Sequence, residues 1–197
     1  MPRKAPQQAR SRAMVERLLD AGREVLQRDG YDSFTTNRVA EEAGVSPGSL
    51  YQYFANKAAI VAAIIEQWSD DIDDKVAAAL ADRLGEEGPA MVRATADALL
   101  AALEESPALL RVVMEELPHR QHRPRHAALE RRVTDLMTAY LAVRPGTTRI
   151  TRPAASAWVL VMALENLAVR YVLDQPPIAR EDFLDEVTDL CVGYLQP

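Results

Sequence analysis

The stretch AGVSPGSLYQYFANK, residues 43–57, sets Pro47 beside Gly48 and then crowds Tyr51, Tyr53 and Phe54 into four positions. Two adjacent turn-formers ahead of three rings make physical sense as the start of a helix. Ser46 offers an oxygen to the free N–H groups of a first helical turn, and Pro47 fits the first helical position, where its missing N–H would go unpaired in any case. The spacing therefore predicts that Pro47 opens a helix. Gly48, lacking a side chain, lets the amino end of that helix approach another surface closely, and the free N–H groups and positive dipole there favour a phosphate. Leu50 and Phe54, four apart, face inward and leave Ser49, Tyr51, Gln52 and Tyr53 on the other sides. Tyr53 is assigned to the seam with the next helix and Tyr51 to an outward contact.

Upstream, Val15, Leu18, Leu19, Val25 and Leu26 recur at helical steps and mark one face of an amphipathic helix over 11–28. Asp29 and Gly30 end it. Thr35 caps a second, short helix in which Val39, Ala40 and Ala43 share a face, and Gly44 supplies the left-handed residue that closes it. Two short helices joined across Gly44, Val45 and Ser46 form a helix-turn-helix, which lays its second helix in the DNA major groove.

Residues 30–60, GYDSFTTNRVAEEAGVSPGSLYQYFANKAAI, carry a threonine pair, V-A-x-x-A-G-V-S across the turn, G-S-L-Y-x-Y-F, and N-K at the opening of the next helix. This run resembles the DNA-binding signature of the tetracycline-repressor (TetR) family of bacterial transcriptional regulators. The resemblance implies an all-α fold, with an N-terminal three-helix helix-turn-helix head on a larger helical ligand-binding and dimerisation body. It implies a ligand-responsive, sequence-specific DNA-binding regulator, a repressor released from a palindromic operator by a small apolar molecule. Position by position, it implies that Thr36 meets the DNA backbone and Asn37 a base edge or phosphate, and that Ser49, Tyr51 and Lys57 hold phosphates. Many members carry Arg or Lys where this chain has Asn37. By chemistry, Asn37 and Gln52 can each pair bidentately with adenine, while Pro47 offers apolar contact to a thymine methyl. With Gly48 at the helix tip, these eight residues form the expected DNA-binding set.

Composition agrees with a folded, water-soluble chain: 48% of the 197 residues are hydrophobic and 26% charged. The basic N-terminus has no apolar run behind it, and the apolar stretch 153–164 stops at Glu165, short of the roughly 20 residues a membrane span needs. A cytoplasmic protein is expected. The single cysteine, Cys191, reads as a small buried apolar residue. The net charge of −6 hides a split, because residues 1–57 carry nine Lys or Arg against seven acids, whereas the rest carry 14 against 22. Arg3, Lys4, Arg10 and Arg12 precede the first acid, Glu16, and suit a flexible cationic arm that meets phosphates. The expected organisation is an arm over 1–9, the DNA-binding domain over 10–56 and a C-terminal domain over 57–197.

In the body, Val61, Ile65, Trp68, Ile72 and Val76 keep a helical stripe over 56–84, and further helices are expected over 89–104, 107–116 and 124–143. The acids of 69–74, SDDIDD, lack a turn glycine and read as a solvated face. His119, His122 and His126 have zinc-like spacing, but Pro124 interrupts the helix and Arg120, Arg123 and Arg125 repel a dication. A cationic loop fits better, so no metal, no cofactor and no enzymatic activity are expected. An all-helical metal-dependent hydrolase built on those histidines is the rival class. Residues 153–173 are apolar on nearly every face, which calls for more than one covering partner, and after the break at 176–178 a final helix presents Phe183, Leu184, Val187, Leu190, Cys191 and Tyr194.

The resemblance implies that these last two helices form a four-helix homodimer interface. A palindromic site also requires two recognition helices about 34 Å apart. The candidates for an effector pocket are Trp68, Met91, Leu110, Met114, Met137, Trp158, Met162 and Asn166, soft and aromatic groups that core packing explains equally well. Glu165 and Asn166, inside an apolar helix, need partners, which a ligand, another subunit or Arg170 could supply. A DNA-binding protein of the same kind without a small-molecule ligand is the alternative.

Overall fold

A computed structural model describes residues 4–81, 88–116, 131, 134–135, 137–139, 141–142 and 150–195, and all regular structure among them is helical. The helix expected over 89–104 is present with those bounds, that over 153–173 runs one residue further, and that over 11–28 runs from Lys4 to Ser33, while all three histidines and most of 124–143 lie outside the described residues. The chain divides into two compact units, with the boundary inside one long helix between Trp68 and Ser69.

The first unit holds α1 (Lys4–Ser33), α2 (Thr36–Glu42), α3 (Pro47–Tyr51) and the start of α4 (Lys57–Ala81). It also takes in residues 111–116, where α6 (Pro107–Arg111) gives way to a π-helical turn (Val112–Glu116) that touches α1. Helix α1 begins at Lys4, so residues 4–9 of the expected arm are helical. It breaks where the sequence predicts, at Gly30, whose φ of 72° suits glycine. The core is made by Leu18, Val25, Leu26, Phe34, Val39, Leu50, Ile60 and Ile64, all essentially inaccessible. Helices α1 and α4 meet so closely that a Cβ on Gly22 would stand 2.9 Å from Ile64 Cδ1. Burying a leucine or phenylalanine of this kind contributes roughly 1.5–3 kcal/mol each, so the hydrophobic contacts, not the short helices' own propensity, hold α2 and α3 in place.

The second unit packs α5 (Pro89–Glu104) against α7 (Pro153–Asp174) and α8 (Arg180–Leu195). Met91, Ala96, Leu100 and Leu103 of α5, Ala157, Leu160, Ala168 and Val172 of α7, and Phe183, Leu184, Val187 and Cys191 of α8 are buried. Burial pushes the Cys191 thiol up from its ordinary range. The buried hydroxyls of Thr95 and Thr188 donate to the carbonyls of Met91 and Leu184, one turn back. At the rim, Arg93 pairs with Glu181 and Asp185, and Arg180 with Asp97 and Glu104. Tyr171 stacks on Phe183 at 4.3 Å and donates to the Ile178 carbonyl, bracing the turn between α7 and α8.

Helix α7 is less covered than its composition predicts. Trp158, Val159 and Leu167 are exposed, as are Ile178 after it and Leu190 on α8. By length and composition α7 could cross a bilayer, but it carries Glu165 and Arg170 and buries one side within the unit.

The expected pocket residues fall in both units. Trp68, buried, and Met114, half-buried, belong to the first; Met91 and Leu110, buried, and Met137 and Met162, half-buried, belong to the second. Trp158 and Asn166 do not line an interior of this chain. Asn166 lies nine positions, half a helical rotation, from the buried Ala157, and Trp158 is 56% exposed. The Asn166 amide donates one N–H to the Met162 carbonyl at 2.9 Å, and Arg170 pairs with Asp174 rather than with Glu165 or Asn166.

Candidate nucleic-acid interface

Helix α2 is anchored at both ends by the residues that sequence reasoning chose. The Thr35 hydroxyl accepts from the Arg38 N–H at 3.3 Å. At the other end, Val45 N–H reaches the Ala40 carbonyl and Gly44 N–H the Glu41 carbonyl, both at 2.9 Å, with Gly44 at φ 63°. That pair of bonds is the Schellman closure, which needs a residue tolerant of left-handed backbone. The chain then turns directly into α3. Ser46 caps α3 by accepting from the Ser49 N–H at 3.1 Å, and its oxygen lies 2.9 Å from the Ser49 hydroxyl. Leu50 and Phe54 turn into the core as their spacing predicts.

What remains outside is the predicted DNA-facing set. Pro47, Gly48, Tyr51, Gln52 and Asn37 are exposed, and Thr36 and Ser49 half-exposed. The backbone of Gly48 is not left-handed, and a Cβ there would meet only Ser46 Oγ, at an ordinary 3.8 Å. Among the described residues nothing calls for glycine at this place; an approaching external surface would. Tyr51 and Thr36, from the end of α3 and the start of α2, join hydroxyls at 3.0 Å. One of the two donates, so the other keeps an O–H for a phosphate oxygen. The contact brings together two residues both expected at the DNA backbone.

Tyr53 is 37% exposed, less open than Tyr51 at 52%, and lies in the turn that follows α3. Lys57 does not point freely into solvent: it is half-buried, with its ammonium 2.5 Å from the Tyr31 carbonyl and 3.9 Å from the centre of the Tyr31 ring. Tyr31 was not singled out in the sequence, since a Gly-Tyr pair at a helix end carries no signal for a partner 26 positions away.

Charges around α2 are largely paired. Arg28 binds Asp29 and Glu42, and Arg38 binds Asp29 at 3.1 Å and the Ser33 carbonyl. The hydrogen bond from Arg28, with Arg38 nearby, holds the Asp29 carboxyl below its usual range, while Asp29 and Glu42 hold the Arg28 guanidinium firmly charged. Exposed pairs of this kind add little stability, and two of them, Arg28 with Glu42 and Arg38 with Asp29, run between α1 and α2. On the same unit a groove of about 380 Å³ is lined by Glu16, Arg17, Asp20, Glu24 and Glu42. Four carboxylates and one guanidinium give this groove a net negative lining. Among the described residues no cluster of three or more His, Cys, Asp or Glu side chains is arranged to hold a metal ion.

Residues 18–64 match the family model for bacterial regulatory proteins of the tetR family, and residues 89–195 match the tetracyclin repressor-like C-terminal domain. An uncharacterized HTH-type transcriptional regulator, YvkB, of Bacillus subtilis (strain 168) is 38% identical over 56 residues, covering 28% of this chain and 30% of that protein. The fatty acid metabolism regulator protein of the same organism is 33% identical over 69 residues, 31% of this chain and 36% of the relative. The chain thus matches about a third of the length of these relatives. The fatty acid degradation regulator FadR of Bacillus halodurans superposes with a TM-score of 0.65 over 92% of this chain and 99% of its own, at 17% identity, which is a likeness of fold.

Proposed function

Because the chain belongs to the TetR family of bacterial regulatory proteins, we propose that it is a DNA-binding transcriptional regulator that acts as a homodimer on a palindromic operator. The observation that carries this reading is the open tip of α3: Pro47 and Gly48 are exposed, and no contact among the described residues explains the missing side chain of Gly48. Thr36, Ser49 and Tyr51 take the DNA backbone and set register, while Asn37, Gln52 and Pro47 read base edges. The homodimer forms through α7 and α8, whose exposed Trp158, Val159, Leu167 and Leu190 would otherwise leave apolar surface in water.

The regulator is a repressor relieved by a small apolar molecule. Ligand in the body changes the separation of the two recognition helices, and the DNA-competent state loses population by the ligand's difference in affinity between states. Two of the similar proteins are named as fatty acid regulators, so a long-chain fatty acid is the first probe.

The test begins with selection of bound duplexes from random DNA by the purified chain. Affinity for the selected site is then followed across a salt series, with and without the fatty acid. A palindromic consensus, a steep salt slope and weaker binding with ligand support the proposal. Binding indifferent to both sequence and salt sinks it, and specific binding untouched by apolar ligands removes the effector half alone.

A further inference from the structure

Most polar side chains around α2 and α3 already have a partner within the chain. Thr36 and Tyr51 join hydroxyls, Ser46 and Ser49 do the same, Arg38 binds Asp29, and Glu42 binds Arg28. Asn37 and Gln52 differ. Both are exposed, and among the described residues neither amide has a hydrogen-bond partner. The Thr36–Tyr51 contact also draws their positions together, because Asn37 follows Thr36 on α2 and Gln52 follows Tyr51 at the end of α3. Two unengaged amides thus stand next in sequence to the two halves of one hydroxyl pair, which bridges the helix-turn-helix.

An amide side chain carries an acceptor oxygen and an N–H donor side by side. In the major groove adenine shows the complement on a single base, an N6 amino donor beside the N7 acceptor. Guanine shows two acceptors there, cytosine one donor, and thymine one acceptor beside a methyl group. Against guanine the amide oxygen would face another acceptor after giving up its bond to water. We propose, resting on the DNA-binding reading above, that Asn37 and Gln52 each read one adenine, so that every operator half-site carries two A·T pairs selected by these amides. Thr36 and Tyr51, holding the DNA backbone as a joined pair, set the register in which both amides reach their bases.

The experiment selects duplexes from random DNA with the full chain, as wild type and as Asn37→Arg, Asn37→Ala and Gln52→Ala, with folding of each checked by circular dichroism. Wild type is expected to return adenine at two amide-dependent positions of each half-site. Asn37→Arg should move one of them to guanine, whose O6 and N7 suit a guanidinium, and Gln52→Ala should relax the other. The contact itself is read from affinity for the selected duplex with 7-deazaadenine, which lacks the N7 acceptor, placed at each adenine of the half-site in turn. Wild type should lose on the order of tenfold at both positions, and the alanine variant of the amide that reads a position should lose nothing further there. The wild-type arm decides even where a variant does not fold. Alanine variants that keep the wild-type consensus and weaken every duplex alike overturn the proposal in favour of phosphate contacts. Wild-type affinity untouched by 7-deazaadenine overturns it in favour of DNA shape as the source of any A·T preference. A palindromic consensus without the two adenines overturns it and leaves the DNA-binding reading standing, whereas wild type that selects no sequence removes both.

Discussion

Single side chains at the candidate interface do two jobs, and Ser46 is the plainest case. Its hydroxyl caps α3 by accepting from Ser49 N–H, and α3 is only five residues long, so this one bond satisfies a large share of the helix's orphan donors. Ser46→Ala is expected to cost about 1 kcal/mol of stability and to weaken duplex binding, because the tip at Pro47 and Gly48 loses its fixed orientation. Urea unfolding with parallel binding measurements checks both, and unaltered stability would deny the cap its role. This cap was legible in the sequence, since Ser-Pro-Gly has few other uses. The Thr36–Tyr51 hydroxyl pair and the Lys57–Tyr31 contact were not, since each joins residues 15 and 26 positions apart that no local pattern links.

At the scale of elements, the joint between α2 and α3 depends on a left-handed residue. Gly44 sits at φ 63°, and a Cβ there would also come within 3.0 Å of the Arg17 guanidinium. Gly44→Ala is therefore expected to destabilise the first unit by about 1–2 kcal/mol, seen as a lower urea midpoint. Duplex binding should fall with it, because the angle between the two helices is what presents α3. Equal stability of the variant would mean that the closure after Ala43 tolerates another geometry. Local rules located this joint, the break at Gly30 and the start of α5 at Pro89, each from one residue with an unusual backbone, a glycine that accepts positive φ or a proline with fixed φ.

For the whole molecule, the exposed apolar side of α7 and α8 is the feature with the largest consequence. Leu190, 55% exposed on α8, adds to the exposed apolar residues Trp158, Val159 and Leu167 of α7. Leu190→Glu is expected to convert the homodimer to monomers in analytical ultracentrifugation, leave helical content unchanged, and weaken binding to a palindromic duplex by at least about tenfold. A variant that stays dimeric would move the interface elsewhere. The periodicity of α7 called for more covering than this chain gives it, since Trp158, Val159 and Leu167 stay exposed. It did not say which side α5 takes and which side stays open, and so Trp158 and Asn166 were expected in an interior pocket that they do not line in this chain.

Sequence alone determined the helices, their caps and breaks, the inward pair Leu50 and Phe54, and the open tip at Pro47 and Gly48, because each follows from backbone restriction or from helical spacing within a few residues. Only the tertiary structure decided that Lys57 belongs to Tyr31, that Thr36 meets Tyr51, that Arg170 turns to Asp174, and that Trp158 faces out. Those outcomes depend on how whole helices are rotated against one another, a choice made by the sum of many buried contacts and written in no short stretch of the chain.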